Sequence, residues 1–163
     1  MVKSLGWIAE TAESGPDALE MIRQNLSTVE ASPYTLVLVD WHMPGMDGWE
    51  TTRQLREMSS KSSGRDTVVI MVSAHGRDTI AQRSIQEQQM LNGFLVKPIT
   101  AAMLFEEVVA ASAERSTLRK AAKGRSSKRQ LAGMRILVVE DNLINQQVAD
   151  EILAITTLYA SLL

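Results

Sequence analysis

The sequence predicts an α/β protein in which a parallel sheet is covered by helices on both faces. Short apolar runs alternate with segments of helical periodicity along most of the chain. Three of these runs are almost purely apolar, as expected for strands buried on both faces. Alternating strands and helices imply parallel strands joined by right-handed crossovers. We therefore expect a three-layer sandwich with the sheet in the middle.

The individual elements follow from local patterns. The predicted strands are residues 7–11, 36–39, 68–72, 94–96 and 136–139. Helices are predicted to begin near Ser14, Asp47, Asp78 and Thr100, where helix-starting residues precede segments of helical spacing. Their expected apolar positions are Ala18, Leu19 and Ile22; Trp49 and Leu55; Ile80 and Ile85; and Leu104, Val108 and Val109.

Length and composition limit the classes of protein to consider. The 163 residues suit one domain, with 45% hydrophobic and 22% charged residues. A net charge of −2 gives no general case for nucleic-acid binding. Without cysteine there is neither a disulfide framework nor a thiolate metal site. No long apolar stretch or signal-like N terminus is present, so we expect a cytoplasmic protein without membrane contact.

The strand and helix pattern stops over residues 114–133. This segment is basic and is interpreted as a solvated linker. Residues 134–163 then restart with a strand and a helix that carries Ile144, Val148 and Ile152. No strand follows this helix. The chain therefore divides into residues 1–113, a linker, and a separate βα unit.

Acidic residues follow two of the predicted strands. Asp40 ends the run 36–39 and opens the loop of residues 41–48, whereas Glu140 and Asp141 follow the strand 136–139. Open α/β sheets bind their ligands at the carboxyl ends of the strands. If these three carboxylates converge, their repulsion raises a pKa unless a divalent ion lies among them, and hard oxygen ligands favour Mg²⁺.

These residues resemble the receiver domain of two-component response regulators, a flavodoxin-like, doubly wound fold with strand order 2-1-3-4-5. Asp40 with its Met-Pro-Gly-Met-Asp-Gly loop resembles the phosphoacceptor loop of that family. Ser73 resembles its hydroxyl position, and Phe94 and Lys97 resemble its switch aromatic and its lysine. Glu140 and Asp141 resemble its acidic pair.

The resemblance implies a phosphoacceptor. Asp40 would accept a phosphoryl group from the phosphohistidine of a histidine kinase or phosphotransfer protein. Asp40, Asp141 and the backbone carbonyl of His42 would bind Mg²⁺ directly, and Glu140 largely through water. Lys97 would pair with Asp40 or with a phosphoryl oxygen.

The resemblance also implies a switch. Ser73 would donate a hydrogen bond to the phosphoryl group, and Phe94 would rotate inward with it. Together these movements would alter an output surface.

In the family, the acidic pair precedes the phosphoacceptor, which is the reverse of the order found here. Residues 1–113 therefore resemble a receiver that lacks its first βα unit, and residues 134–163 resemble the first unit of a second receiver, as in hybrid histidine kinases. The strand at Ile136 would complete the sheet between the strands 7–11 and 36–39. A linker of about 20 residues typically spans about 25 Å, enough for closure within one chain. The result is a circular permutant, which we favour, or, between two chains, a domain-swapped homodimer.

Two other functions are considered. The chain could be a structural module in which the acidic pair serves another receiver and no site assembles. It could also be a hydrolase with an aspartyl-phosphate intermediate, similar to haloacid-dehalogenase phosphatases. Those enzymes carry a second acid two residues after the nucleophile, where this chain has His42. The side chains of His42 and His75 have no required role in the phosphoacceptor mechanism.

Overall fold

The core of the molecule is a five-stranded parallel sheet. A computed structural model describes residues 7–27, 33–61, 67–76, 78–119 and 133–162. The strands are β1 (Ile8–Ala12), β2 (Leu36–Asp40), β3 (Val68–Ser73), β4 (Gly93–Val96) and β5 (Arg135–Val139). All four pairings between neighbouring strands are parallel. The predicted fold class is confirmed at this level.

The strand β5, last in chain order, lies inside the sheet. The order across the sheet is β1-β5-β2-β3-β4. Residue Arg135 pairs with Ile8 on one side, and Ile136 pairs with Leu36 on the other. These are the two neighbours expected from the sequence. Four of the five β5 residues are buried, because both edges and both faces of this strand are covered.

Arg135 fixes the start of β5 between its neighbours. Its guanidinium forms an ion pair with Glu10 of β1 and lies 4.7 Å from the centre of the Tyr34 ring. Its carbonyl accepts a hydrogen bond from the Thr35 amide at 2.9 Å. Tyr34 in turn donates to Glu10 at 2.9 Å. Burial, together with this hydrogen bond to Glu10, raises the pKa of Tyr34 to about 12. These contacts hold the N-terminal part of β5 against β1 and against the residues that precede β2.

The described residues form six helices around the sheet. They are α1 (Gly15–Ser27), α2 (Gly48–Lys61), α3 (Asp78–Ala81), α4 (Ile85–Gln88), α5 (Ala101–Arg119) and α6 (Leu143–Leu162). Helices α1 and α2 contribute to one apolar layer through Ala18, Ile22 and Leu55, whereas α5 and α6 contribute to the other through Leu104 and Leu153. Among the described residues, no helix has the length and apolar character needed to cross a membrane.

Three of the predicted helix starts are confirmed by capping contacts. The hydroxyl of Ser14 accepts a hydrogen bond from the Asp17 amide at 3.2 Å. The carboxylate of Asp47 accepts one from the Glu50 amide at 2.8 Å. Thr100 caps α5 in the same way. Each cap satisfies an amide that the first turn of a helix leaves without a partner.

The prediction of one helix containing both Ile80 and Ile85 was wrong. The segment forms two short helices, because Ser84 starts a new one with a capping box in which it exchanges hydrogen bonds with Glu87. Ile85 consequently lies on the surface, with 74% of its area exposed. The side chain of Asp78, the predicted cap, lies outside the described residues.

Helix α5 extends into the segment that was predicted to be a linker. Helix α5 continues to Arg119, six residues into the segment 114–133 (114 to 119). Residues 120–132 lie outside the described part of the chain. The description resumes at Gly133, whose φ of +68° suits glycine and turns the chain into β5.

The expected buried face of α6 was partly wrong. Ile144 and Val148 are 70% and 48% exposed, whereas Leu153 and Thr156 are buried. Ile152 packs at the edge of the core, as predicted. The helix is apolar on several sides, so periodicity alone does not identify the side that packs against α5.

Candidate functional site

Acidic and basic side chains meet at the carboxyl ends of four neighbouring strands. Asp40 ends β2, Glu140 follows β5, Ser73 ends β3 and Lys97 follows β4. The side chains of Asp40 and Glu140 are only 12% and 7% exposed, and that of Lys97 is 29% exposed. Because parallel strands end at the same edge of a sheet, residues distant in sequence come together here.

The three predicted carboxylates converge. One oxygen from each of Asp40, Glu140 and Asp141 lies within 4.8 Å of the others. Asp141 is on the surface, whereas the other two acids are largely enclosed. The separation is small enough for one cation to contact all three groups.

Lys97 bridges two of these acids. Its Nζ is 2.9 Å from Glu140 Oε2 and 3.2 Å from Asp40 Oδ1. The sequence predicted the contact with Asp40, but the shorter contact is with Glu140. Burial alone would lower the pKa of Lys97, but the hydrogen bond to Glu140 and the charge of Asp40 raise it above its usual value. Lys97 is therefore a fixed positive charge in this site.

The surroundings of Asp40 disfavour the charged form of its carboxylate. Its pKa is raised, first by burial and then by the negative charge of Glu140, and Lys97 offsets this only in part. A cavity of about 440 Å³ lies beside the site, between the sheet, α5 and α6. Apolar side chains, including Val138, Ile99 and Ile152, line most of it. A cation bound to these acids would lower the pKa of Asp40, because its positive charge stabilises the carboxylate.

Glu140 is oriented by donors that sequence reasoning missed. Its Oε1 accepts hydrogen bonds from Asn145 Nδ2 at 3.0 Å and from the Asn142 amide at 3.2 Å. Asn145 lies in the first turn of α6, where it can reach back over the end of β5. The proximity of a polar amide to an acidic pair could have signalled this role, but only with the helix start known.

The predicted switch residues are both buried. Ser73 is fully buried, and its Oγ accepts a hydrogen bond from the His75 amide at 3.0 Å. Phe94 packs edge-on against Trp41, with ring centres 6.3 Å apart. The Phe94 ring therefore contacts the residue that directly follows the candidate phosphoacceptor.

Trp41 also connects the site to the α3–α4 region. It packs edge-on against Trp49 at 5.5 Å, and the Arg83 guanidinium lies 5.7 Å from its ring centre and 5.1 Å from that of Trp49. Such cation–π contacts are attractive. Sequence reasoning missed Arg83, because nothing in the local sequence indicates which ring a distant arginine will cover.

Gly48 brings the start of α2 against the loop. Its amide donates to the Trp41 carbonyl at 2.9 Å. A Cβ at this position would lie 2.4 Å from the backbone oxygen of Asp40, too close for any real side chain. Glycine is therefore required by the close approach of two backbones.

The two histidines lie in the loops that follow β2 and β3. The exposed His42 ring stacks on Trp41, with centres 5.6 Å apart. His75 is also exposed, and its ring centre is 5.0 Å from that of His42. The geometry thus gives the side chains an arrangement that the sequence did not predict.

Comparison with known proteins identifies the family. The model of the response regulator receiver domain matches residues 1–109. The chain belongs to the response regulator receiver family. As a receiver domain, it is a phosphoacceptor of two-component signalling. Residues 134–162, which contribute β5 and two of the three acids, lie outside the match.

Relatives occur among kinases and separate regulators. The receiver is 33% identical over 115 residues to Probable histidine kinase 2 of Oryza sativa subsp. indica, covering 66% of this chain but 11% of that protein. It is 34% identical over 105 residues to Two-component response regulator ARR22 of Arabidopsis thaliana, covering 64% of this chain and 66% of the relative. The chain thus corresponds to a small part of the kinase.

The fold has a solved counterpart. A response regulator receiver domain protein from Clostridium thermocellum superposes with a TM-score of 0.50 and 22% identity, covering 67% of this chain and 77% of the other. At this identity the likeness concerns the fold alone.

Proposed function

We propose that Asp40 accepts the phosphoryl group, in a site completed by residues of the C-terminal βα unit. The convergence of Asp40, Glu140 and Asp141 within 4.8 Å is the observation that carries this proposal. The donor is a phosphohistidine on a cytoplasmic histidine kinase or phosphotransfer protein. Ser73 and Phe94 are proposed as the switch residues.

The residues fit a bound Mg²⁺ ion. Three carboxylates and one ammonium group leave an excess of negative charge, and all the acidic donors are hard oxygens. Asp40, Asp141 and the His42 backbone carbonyl would hold the ion, with Glu140 acting through water. When bound, the ion would neutralise the charge on the transferring phosphoryl oxygens.

The chain's own residues account for the rest of the transfer. A carboxylate oxygen of Asp40 attacks phosphorus in line, a P–O bond forms, and the P–N bond to the donor imidazole breaks. The electron pair of that bond stays on the imidazole nitrogen. Lys97 stabilises the charge of the phosphoryl group once Asp40 carries it as an acyl phosphate, and the Ser73 hydroxyl donates a hydrogen bond to another phosphoryl oxygen.

The domain organisation is part of the proposal. Residues 1–113 provide a receiver without its first βα unit, residues 114–133 contain the connection, and residues 134–163 supply that unit. We propose that the sheet order β1-β5-β2-β3-β4 is equivalent to the order 2-1-3-4-5 of the family, and that one chain closes on itself as a circular permutant. In a parent protein, the C-terminal unit would begin a second receiver of a hybrid histidine kinase. The alternative arrangement is a domain-swapped homodimer.

Phosphorylation by a small acyl phosphate tests the site. We expect the chain to gain one phosphoryl group in the presence of Mg²⁺, as measured by intact mass. Asp40→Asn should abolish the adduct, and Asp141→Asn should strongly slow its formation by weakening the metal site. Asp17→Asn, in the first turn of α1, changes an acid that is not among the three converging carboxylates and is the matched control.

The outcomes separate the alternatives. An adduct that persists in full after Asp40→Asn would remove Asp40 from the role. A native chain that is folded but gains no phosphoryl group would favour the structural module. Continuous release of phosphate with no stable adduct would favour the hydrolase.

A further inference from the structure

The proposed phosphotransfer uses neither histidine side chain, yet the fold brings both together. The chain contains two histidines and no cysteine. His42 lies in the loop after β2, and His75 lies in the loop after the neighbouring strand β3. Their ring centres are 5.0 Å apart, with 42° between the ring planes.

We propose that His42 and His75 form a binding site for a divalent transition-metal ion such as Ni²⁺, Zn²⁺ or Cu²⁺. Neutral imidazole is a preferred ligand of these ions and not of Mg²⁺. The site is therefore chemically distinct from the carboxylates beside it. Water completes the coordination.

The separation of the rings fits coordination by both histidines. A metal to nitrogen bond of about 2.0 Å, with the ring centre roughly 1.1 Å beyond the nitrogen, places two imidazole centres about 4.4–5.1 Å apart for bond angles between about 90° and 110°. The observed distance of 5.0 Å lies in this range. Both rings are exposed, so a nitrogen of each can turn toward a shared ion.

The backbones that carry the two rings are held in place. The Trp41 amide, adjacent to His42, donates to the Val72 carbonyl at 2.8 Å, which ties the first loop to β3. The His75 amide donates to Ser73 Oγ at 3.0 Å, which fixes the second loop. Binding therefore needs little ordering of the backbone. An ion at this position joins the loop after Asp40 to the loop after Ser73.

Quenching of tryptophan fluorescence by Ni²⁺ tests the site. The His42 ring stacks on Trp41, so a paramagnetic ion bound there lies close to that indole. In excess Mg²⁺, which occupies the carboxylates, we expect partial and saturable quenching. His75→Ala leaves Trp41 and its stacked partner in place but removes one ligand, and should weaken the apparent affinity at least tenfold. His42→Ala should do the same.

Controls distinguish this site from the acidic one. Asp141→Asn should leave the Ni²⁺ curve unchanged. As a second measurement, also in excess Mg²⁺, Zn²⁺ should raise the melting temperature of the native chain but not that of His75→Ala, because an ion that binds the folded state stabilises it. Absence of saturable quenching in the native chain, an unchanged curve in His75→Ala, or loss of quenching in Asp141→Asn would each overturn the proposal.

Discussion

Asp40 is a charged residue kept where charge is unfavourable. Burial and the charge of Glu140 both raise its pKa, and Lys97, which also bonds Glu140, compensates only in part. Functional sites often retain groups of this kind at the expense of stability. The cost should be measurable in the native chain.

We predict that Asp40→Asn increases the free energy of unfolding near neutral pH by roughly 0.5–2 kcal/mol. The raised pKa means that the stability contributed by protonated Asp40 is present below the ordinary pKa of 3.8 and is lost as pH rises through the folded value. Asparagine stays neutral, so its advantage should appear with rising pH and vanish below that ordinary pKa. Urea denaturation at several pH values measures this. An advantage that is independent of pH would contradict the electrostatic explanation.

Gly48 provides a second prediction for a single residue. Gly48→Ala should destabilise the fold by about 1–3 kcal/mol, because the new Cβ meets the backbone oxygen of Asp40 and not a movable side chain. Gly76→Ala is the matched control, since nothing lies within 4 Å of a Cβ there. Thermal denaturation should separate the two variants. Equal effects would show that loop entropy, and not the close approach, governs both.

The sequence predicted the site's main acids and the contact of Lys97 with Asp40, but not the contact of Lys97 with Glu140 or the position of Arg83. Asp40 and Glu140 could be predicted because each lies at the end of a recognisable strand, and Lys97 could be predicted because its position resembles that of the lysine in the receiver family. The shorter contact of Lys97 with Glu140 depends on the distance between β4 and β5 across the sheet, and the position of Arg83 depends on an irregular segment. Neither the Lys97–Glu140 contact nor the position of Arg83 can be predicted from the periodicity of the local sequence.

At the level of elements, the strands were predicted best. The boundaries of β2 and β5 differ from the prediction by one residue, because runs buried on both faces have few alternatives. The α3–α4 region was predicted worst, since the capping box at Ser84 competes with a weak apolar pattern. Helix α6 was located correctly, but its buried face was not.

The packing of α6 can be tested by two matched substitutions. Leu153→Ala should cost about 2–4 kcal/mol, because it removes a side chain that is only 4% exposed in the layer between α5 and the sheet. Ile144→Ala should change stability by less than about 0.5 kcal/mol, because that side chain is 70% exposed. Chemical denaturation of both variants measures the difference. A larger loss of stability in Ile144→Ala than in Leu153→Ala would show that α6 buries the face predicted from the sequence.

For the whole molecule, the central question is whether one chain closes on itself. We predict a monomer at low concentration, because loop closure costs little entropy for a connection of this length. Light scattering across a wide range of concentrations measures the mass. A dimer that persists at the lowest concentration would instead support the swapped arrangement. A monomer with a native circular dichroism spectrum and Mg²⁺-dependent phosphorylation would support closure within the chain.

The central position of β5 has a consequence for the time course of folding. The contacts of Arg135 with Thr35 and Glu10 join residues 100 and 125 positions apart. Contacts of such long range slow folding, because a large loop must be ordered before they form. During synthesis, β1 and β2 lack the strand that pairs with both of them until residues 135–139 leave the ribosome. In the arrangement proposed here, the chain cannot respond to a kinase until that last strand is inserted.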